Sequence, residues 1–211
     1  MSSRTMPDDG DEISQPSSFA QSDDERLWSG RSVPAGGLFS RSAPLEVEIG
    51  TGKARFLMEA ARANPAHDFL GLERSLSYYR ICRDRLARSG LENARVIRAD
   101  GRLFVEALPN ASVRAFHVYF PDPWPKKKQR KRRLLDGVML EILAERLEPG
   151  GLLRIVTDHP GYGTTIEPLI ESVPAFARLD WNALPSPPPT HYELKYRAQG
   201  RRTWRFLLRR R

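Results

Sequence analysis

Asp122 stands in an unusual setting. Pro121, Pro123 and Pro125 surround it, Trp124 lies within the same five residues, and seven positive charges fill the eight positions from Lys126 to Arg133. Proline fixes its own φ and disfavours the helical region for the residue before it, so this stretch predicts a rigid, extended segment. An apolar run, Phe116 to Phe120, precedes it and reads as a buried strand. The carboxylate then lies just past the carboxyl end of a strand, where open α/β sheets bind their ligands. A fixed carboxylate beside a dense cationic strip fits a site that acts on one group of a polyanion. A proline loop followed by a charge run is more often a solvated linker. Trp124 inside the loop and the helical pattern after the strip count against that here.

A second set of residues lies upstream. Glu48 is followed by Gly50-Thr51-Gly52-Lys53, and Glu73 comes 21 residues after Gly52. Residues 45–49 and 68–72 read as short strands, and residues 55–63 place Phe56, Leu57, Ala60 and Ala61 on one helical face. Strand, glycine turn and helix form a nucleotide-type loop, in which Gly50 and Gly52 let the backbone turn tightly and approach a ligand. An acidic residue about 20 positions further on, at the end of the second strand, accepts hydrogen bonds from ribose hydroxyls in such folds. Glu73 has that place. A third strand, 94–98, leads to Asp100. Three acidic residues at or near successive strand ends, in register with a glycine loop, are a candidate ligand site.

These residues need elements to hold them. Helices are expected over 75–88, with Tyr78, Ile81, Cys82 and Leu86 inward, over 102–108, over 134–147 and over 161–172 with Pro168 inside. In the third of these, Leu135, Val138, Met139, Ile142, Leu143 and Leu147 form the apolar stripe. Pro149-Gly150-Gly151 turns the chain into a strand at 152–156, which delivers Asp158 at another carboxyl end. Strand-like stretches at 177–182 and 203–208 flank a loop from Pro185 to Gly200 and suggest a closing hairpin. The whole predicts an α/β fold, a mostly parallel sheet of seven strands with an antiparallel last strand and helices on both faces. Residues 1–43 hold few large apolar groups and no periodicity, so a disordered polar tail is expected ahead of one domain, 44–211.

Composition narrows the partners. Lysine and arginine number 34 against 26 acidic residues, a net charge of +8, which favours a polyanion such as nucleic acid. The single Cys82 excludes an internal disulfide and fits a reducing cytosol. No apolar run approaches the roughly 18 residues of a membrane span, and no secretory pattern opens the chain, so a cytoplasmic protein without a membrane partner is expected. His67, His117, His159 and His191 lack metal-ligand spacing, and no metal is expected.

The segments EIGTGKARF (48–56), LGLE (70–73), AD (99–100), FPDPWPKKKQRKRR (120–133), TD (157–158) and THYE (190–193) resemble, in order and spacing, those of bacterial tRNA (guanine-N7-)-methyltransferases. The likeness covers about residues 45–208, and its proline–basic stretch is the most specific part. It implies a Rossmann-like seven-stranded sheet, S-adenosylmethionine as cofactor and a tRNA variable-loop guanine as substrate, for a monomer or homodimer. It further implies cofactor contacts at Glu48, Gly50, Gly52, Glu73, Asp100 and Asp122, with Asp122 also the catalytic candidate. Lys126, Asp158, Thr190, His191, Tyr192 and Glu193 resemble the substrate pocket. Lys128, Gln129, Arg130, Lys131, Arg132 and Arg133 resemble the RNA-contacting strip. Ala54 stands where the family commonly has a third glycine, and His191 where a Lys or Arg is usual.

Guanine N7 carries a free lone pair at neutral pH, so methylation there is a direct displacement that needs alignment rather than a general base. A carboxylate near N7 stabilises the positive charge that develops, as an oxyanion hole does with signs reversed. Asp122 is the candidate for that task, and Asp158 or Glu193 for accepting from the guanine N1–H and amino group. The strip supplies phosphate affinity without base specificity. The alternatives are a catalytically silent RNA-binding protein on the same fold and methyl transfer to another nucleic acid or a small molecule.

Overall fold

Apolar runs bounded by turn residues become the strands of one seven-stranded sheet. The computed structural model describes residues 25–30, 32–33 and 37–211. In chain order the elements are β1 (Leu45–Ile49), α1 (Arg55–Ala63), β2 (Asp68–Glu73), α2 (Leu76–Ser89), β3 (Ala94–Arg98), α3 (Gly101–Glu106) and β4 (Val113–Tyr119). Then follow α4 (Gly137–Arg146), β5 (Leu147–Thr157), α5 (Pro160–Glu171), β6 (Phe176–Leu179), α6 (His191–Ala198) and β7 (Trp204–Arg210). The strand order is β3-β2-β1-β4-β5-β7-β6. Pairing is parallel from β3 to β5, and β7 runs antiparallel to both β5 and β6.

That order reverses direction between β1 and β4. The first three strands build outward on one side of β1, and the chain then returns to place β4 on the other. Strands that diverge this way leave a crevice beyond their carboxyl ends. The glycine loop follows β1 and the proline loop follows β4, so the two candidate constellations meet at the crevice.

Each face of the sheet is covered. On one side, Phe104 and Val105 of α3, Met139, Leu140 and Leu143 of α4, and Tyr162 and Ile166 of α5 pack with Val47, Leu70, Phe116 and Ile155. On the other, Phe56, Leu57, Ala60 and Ala61 of α1 and Cys82 and Leu86 of α2 pack with Phe69, Tyr119 and Val156. This second face also buries Glu48, His117 and Arg154, one each on β1, β4 and β5 and paired in register. Buried charge persists only where partners or ligands offset its desolvation.

Several expected details differ. Val138 is 60% exposed and Ile81 39% exposed, while Leu140 and Tyr79 are buried in their stead. In α4, which Asp136 caps through the Met139 amide so that it begins at Gly137 rather than 134, the buried face is Met139, Leu140, Leu143 and Ala144, and Val138 lies off it. Pro149-Gly150-Gly151 lies inside β5 instead of before it. The expected loop at 185–200 contains α6. Ahead of Leu45, Val33, Leu38 and Phe39 are buried, Trp28 bridges Ala99 and its ring meets Phe104 edge-on at 4.8 Å. Residues 1–24 of the expected tail lie outside the described residues. Among the described residues no helix is long and apolar enough to cross a membrane.

Gly71 in β2 lies directly beneath the glycine loop. A Cβ there would stand 2.4 Å from Thr51 Cγ2 and 3.0 Å from Leu57 Cδ2. Gly71→Ala is therefore expected to cost about 1–3 kcal/mol through overpacking. A urea-unfolding series reads this directly, and a midpoint equal to wild type would show that the loop yields without cost.

Candidate active site

The turn after β1 is built from left-handed residues. Gly50, Gly52 and Ala54 have φ of 84°, 56° and 55°. Glycine adopts this region freely, whereas an L-residue such as Ala54 takes it at a cost of about 1–2 kcal/mol. Contacts from elsewhere hold the loop. The Gly50 amide donates to Leu72 O at 2.8 Å, Arg85 donates to Lys53 O, and the Cys82 thiol donates to Gly52 O. Glu73 joins two elements: its Oε2 accepts from the Gly52 amide at 3.0 Å and its Oε1 from the Ser75 amide at 2.8 Å, at the start of α2.

Glu48 is 4% exposed, and its Oε2 has no hydrogen-bond partner. Burial pushes its pKa well above the usual carboxylate range, and the nearby Glu73 charge adds to the shift. Such a carboxyl is poised to ionise when a cation arrives. Asp100 caps α3, its Oδ1 accepting from the Arg102 and Leu103 amides, while its Oδ2 lies 3.4 Å from Arg74.

The proline loop corrects the expectation of uniform extension. Phe120 and Trp124, each followed by proline, have φ of 52° and 39°. Tertiary contacts override the local preference. The Phe120 amide donates to Val156 O at 2.7 Å, and the Arg132 guanidinium lies over the Trp124 ring. Arg133 pins the loop from below: it donates from Nε to Pro123 O at 2.8 Å and stacks on Tyr162 at 4.5 Å. At 7% exposure it is set apart from the rest of the strip, which forms a 3-10 turn over Lys127–Arg132. Lys126, Lys128, Arg130, Lys131 and Arg132 are exposed, with Gln129 half-buried among them. Asp122 is exposed too, and its charge reaches Glu73 and Tyr192, raising the pKa of each as a lesser cause.

Helix α6 closes the crevice. Thr190 caps it, its hydroxyl accepting from the Glu193 amide at 3.0 Å. This Thr-x-x-Glu spacing is a capping-box signature and marked the helix in the sequence. Thr190, His191 and Tyr192 line a cavity of about 210 Å³ with Glu48, Gly50 and Thr51. Lys53, Arg55, Phe56, Tyr78, Tyr119 and Lys195 line it as well, and like Thr51 these were not site candidates in the sequence. Gly52, Glu73, Asp100 and Asp122 stand outside this lining. Phe120, Tyr192 and Tyr196 form an aromatic group with centroids 5.4–6.3 Å apart. Two expected base-reading carboxylates already hold arginines. Asp158 Oδ2 accepts from Arg201 at 2.8 Å, and Glu193 Oε1 accepts from Arg197 and Arg205.

A family model described as "Putative methyltransferase" matches residues 42–206. The chain is 37% identical over 171 residues to a tRNA (guanine-N(7)-)-methyltransferase of Halorhodospira halophila, covering 79% of this chain and 73% of that relative. A protein of the same name from Nitrosococcus oceani is 34% identical over 189 residues, covering 85% of this chain and 80% of its own. Among solved structures, an aminoglycoside resistance methyltransferase superposes with a TM-score of 0.56 at 18% identity, covering 80% of this chain and 87% of the other, a likeness of fold.

Arg133→Ala removes both the bond to the Pro123 carbonyl and the stack on Tyr162. Hydrogen exchange at the Phe120 amide, which donates to Val156 O, is expected to accelerate at least about tenfold while β4 and β5 stay protected. Unchanged exchange there would show that the loop is held by its prolines alone.

Proposed function

The chain belongs to the tRNA (guanine-N(7)-)-methyltransferase family, and we propose that it transfers a methyl group from S-adenosylmethionine to N7 of a guanine in the tRNA variable loop. The observation that carries this reading is the cavity between the glycine loop and α6, with the buried Glu48 carboxyl, its Oε2 unpartnered, in its wall. The proline loop and basic strip follow β4 at the same crevice.

The residues fit the cofactor. Glu48 Oε2 is free to accept from the ammonium of its amino-acid end. Each Glu73 oxygen takes one backbone amide, which leaves lone pairs for ribose hydroxyls. Asp100 keeps one oxygen directed away from its cap for the base. When bound, S-adenosylmethionine supplies an electrophilic methyl on a sulfonium centre.

The remaining work is done by the protein. Lys126, Lys128, Arg130, Lys131 and Arg132 bind phosphates and fix the RNA in register, and Arg133 holds the loop beneath them. The rings of Phe120 and Tyr192 offer a platform for an unstacked base. Asp158 and Glu193, steadied by their arginines, read the donor edge of guanine with their remaining lone pairs. Asp122 faces the positive charge that grows on N7. No proton need leave N7, so Asp122 acts by charge and orientation.

Methyl transfer to bulk tRNA, followed by nucleoside mass spectrometry, tests the reading; absence of 7-methylguanosine from the product would refute it. In the same assay Asp122→Asn is expected to slow single turnover by roughly 2.7–4 kcal/mol in barrier, the scale of losing one oxyanion-hole donor. The tRNA dissociation constant should hardly move, because phosphate contacts dominate it. A wild-type single-turnover rate at saturating cofactor would leave Asp122 a loop-shaping residue.

Glu48 makes cofactor binding depend on pH. Its pKa in the free protein is raised, so at low pH a proton must leave before the ammonium can bind its carboxylate. Affinity is expected to rise with pH up to that raised pKa, by at most about tenfold per unit, and to level off above it. Glu48→Gln should flatten this dependence in calorimetric titrations; a variant that keeps the wild-type slope would place the titrating group elsewhere.

A further inference from the structure

A chain of hydrogen bonds crosses the sheet beside the cavity, and none of the roles above uses it. His67 Nδ1 lies 2.7 Å from Glu46 Oε1, Glu46 Oε2 lies 2.7 Å from His117 Nε2, and His117 Nδ1 lies 2.9 Å from the Tyr119 hydroxyl. His117 is 3% exposed, and Phe56 covers it and Tyr119 at centroid distances of 4.6 and 4.9 Å. Tyr119 lines the cavity, and so does Glu48. Arg154, next to His117 on β5, donates from Nη2 to the Pro185 carbonyl and lies over the Trp181 face, while its buried Nη1 has no partner and its charge reaches Tyr119.

One form of His117, neutral with its proton on Nε2, sets a direction for each bond. Glu46 is half-buried, and its hydrogen bonds to His117 and His67, with the attraction of those rings when they are charged, outweigh the desolvation and hold its pKa down at about 2. It is therefore a carboxylate and only accepts. His117 Nε2 must then carry a proton and donate. In a neutral imidazole the other nitrogen, Nδ1, is an acceptor, so the Tyr119 hydroxyl donates to it. That leaves the Tyr119 oxygen with lone pairs alone for any further partner. With Glu48, the cavity wall presents acceptors to whatever enters.

We propose that Glu46 and His117 are positioning residues that hold Tyr119 as a hydrogen-bond acceptor, and that Tyr119 binds the ammonium of the cofactor's amino-acid end together with Glu48. Lys53, Arg55 and Lys195 on the same lining suit the carboxylate of that end. The proposal rests on the cofactor reading above. It adds Tyr119 as a binding residue and accounts for the buried histidine and half-buried glutamate behind it.

The test compares S-adenosylhomocysteine with its analogue lacking the α-amino group, by calorimetry on the full chain, with circular dichroism melts to confirm folding. Wild type is expected to bind the amino-bearing ligand at least about tenfold more tightly, the worth of a hydrogen bond to a charged group. Tyr119→Phe should lose most of that preference while binding the desamino analogue as wild type does. His117→Phe keeps a ring against Phe56 and should shift the preference the same way, and His117→Asn, which restores an acceptor near the Nδ1 position, should regain part of it. Tyr119→Phe with full preference, or with equal losses for both ligands, overturns the proposal. Wild type that binds S-adenosylhomocysteine without preference overturns it while sparing the cofactor reading. Wild type that binds neither ligand overturns both.

Discussion

The Glu73 carboxylate is the joint on which the site depends. It is buried, and burial is the first cause that raises its pKa. It is kept in place because it satisfies two amides that would otherwise lack partners, one in the glycine loop and one before α2. Backbone donors buried without acceptors cost about as much as the bond they forgo, so the loop and the helix are locked to the same strand end. Gly71, one pleat further back, lets Thr51 settle close against β2. The conformation of the loop is thus imposed by β2 as much as by its own glycines, which is how Ala54 is tolerated at a left-handed φ.

Around this joint the charges sort by depth. Glu46, Glu48 and Glu73 lie beneath the crevice, Lys53, Arg55 and Lys195 line the cavity, and the strip from Lys126 to Arg132 stands in solvent. A ligand with separated charges, cationic at the inner end and anionic at the outer, meets complementary partners along its length. A phosphate backbone meets only the outer cations, where contacts are sensitive to salt and indifferent to base.

The sequence displayed most of this and concealed a specific remainder. Seven strands, the antiparallel last one, the glycine loop and the acidic strand ends were legible because hydrophobic period and turn residues are local signals. Arg55 of α1 and Lys195 of α6, which reach the cavity, were not, since periodicity says which face of a helix is inward and nothing about which crevice it borders. Tyr119 was hidden inside an apolar run, and His117 looked like a lone histidine; only pairing β4 with β1 brings Glu46 to it. The run Lys126 to Arg133 looked uniform, yet Arg133 turns inward to the Pro123 carbonyl, a fact that no charge count contains. The α6 helix was missed despite its capping box, because prolines at 185 and 187–189 dominated the reading of that stretch.

The bridge from Trp28 to Ala99 bears on how the molecule avoids its own copies. β3 ends the sheet, and an end strand with open amides and carbonyls is a template for another chain. Trp28 donates its amide to Arg98 O, Arg98 donates to Glu25 O, and the indole covers Phe104. A chain begun at Leu45, where the sheet starts, would keep every residue of the crevice and lose this cover. Beside the lost packing of Val33, Leu38 and Phe39, its expected penalty is self-association through the part of β3 that Trp28 occupies, rather than a weaker site.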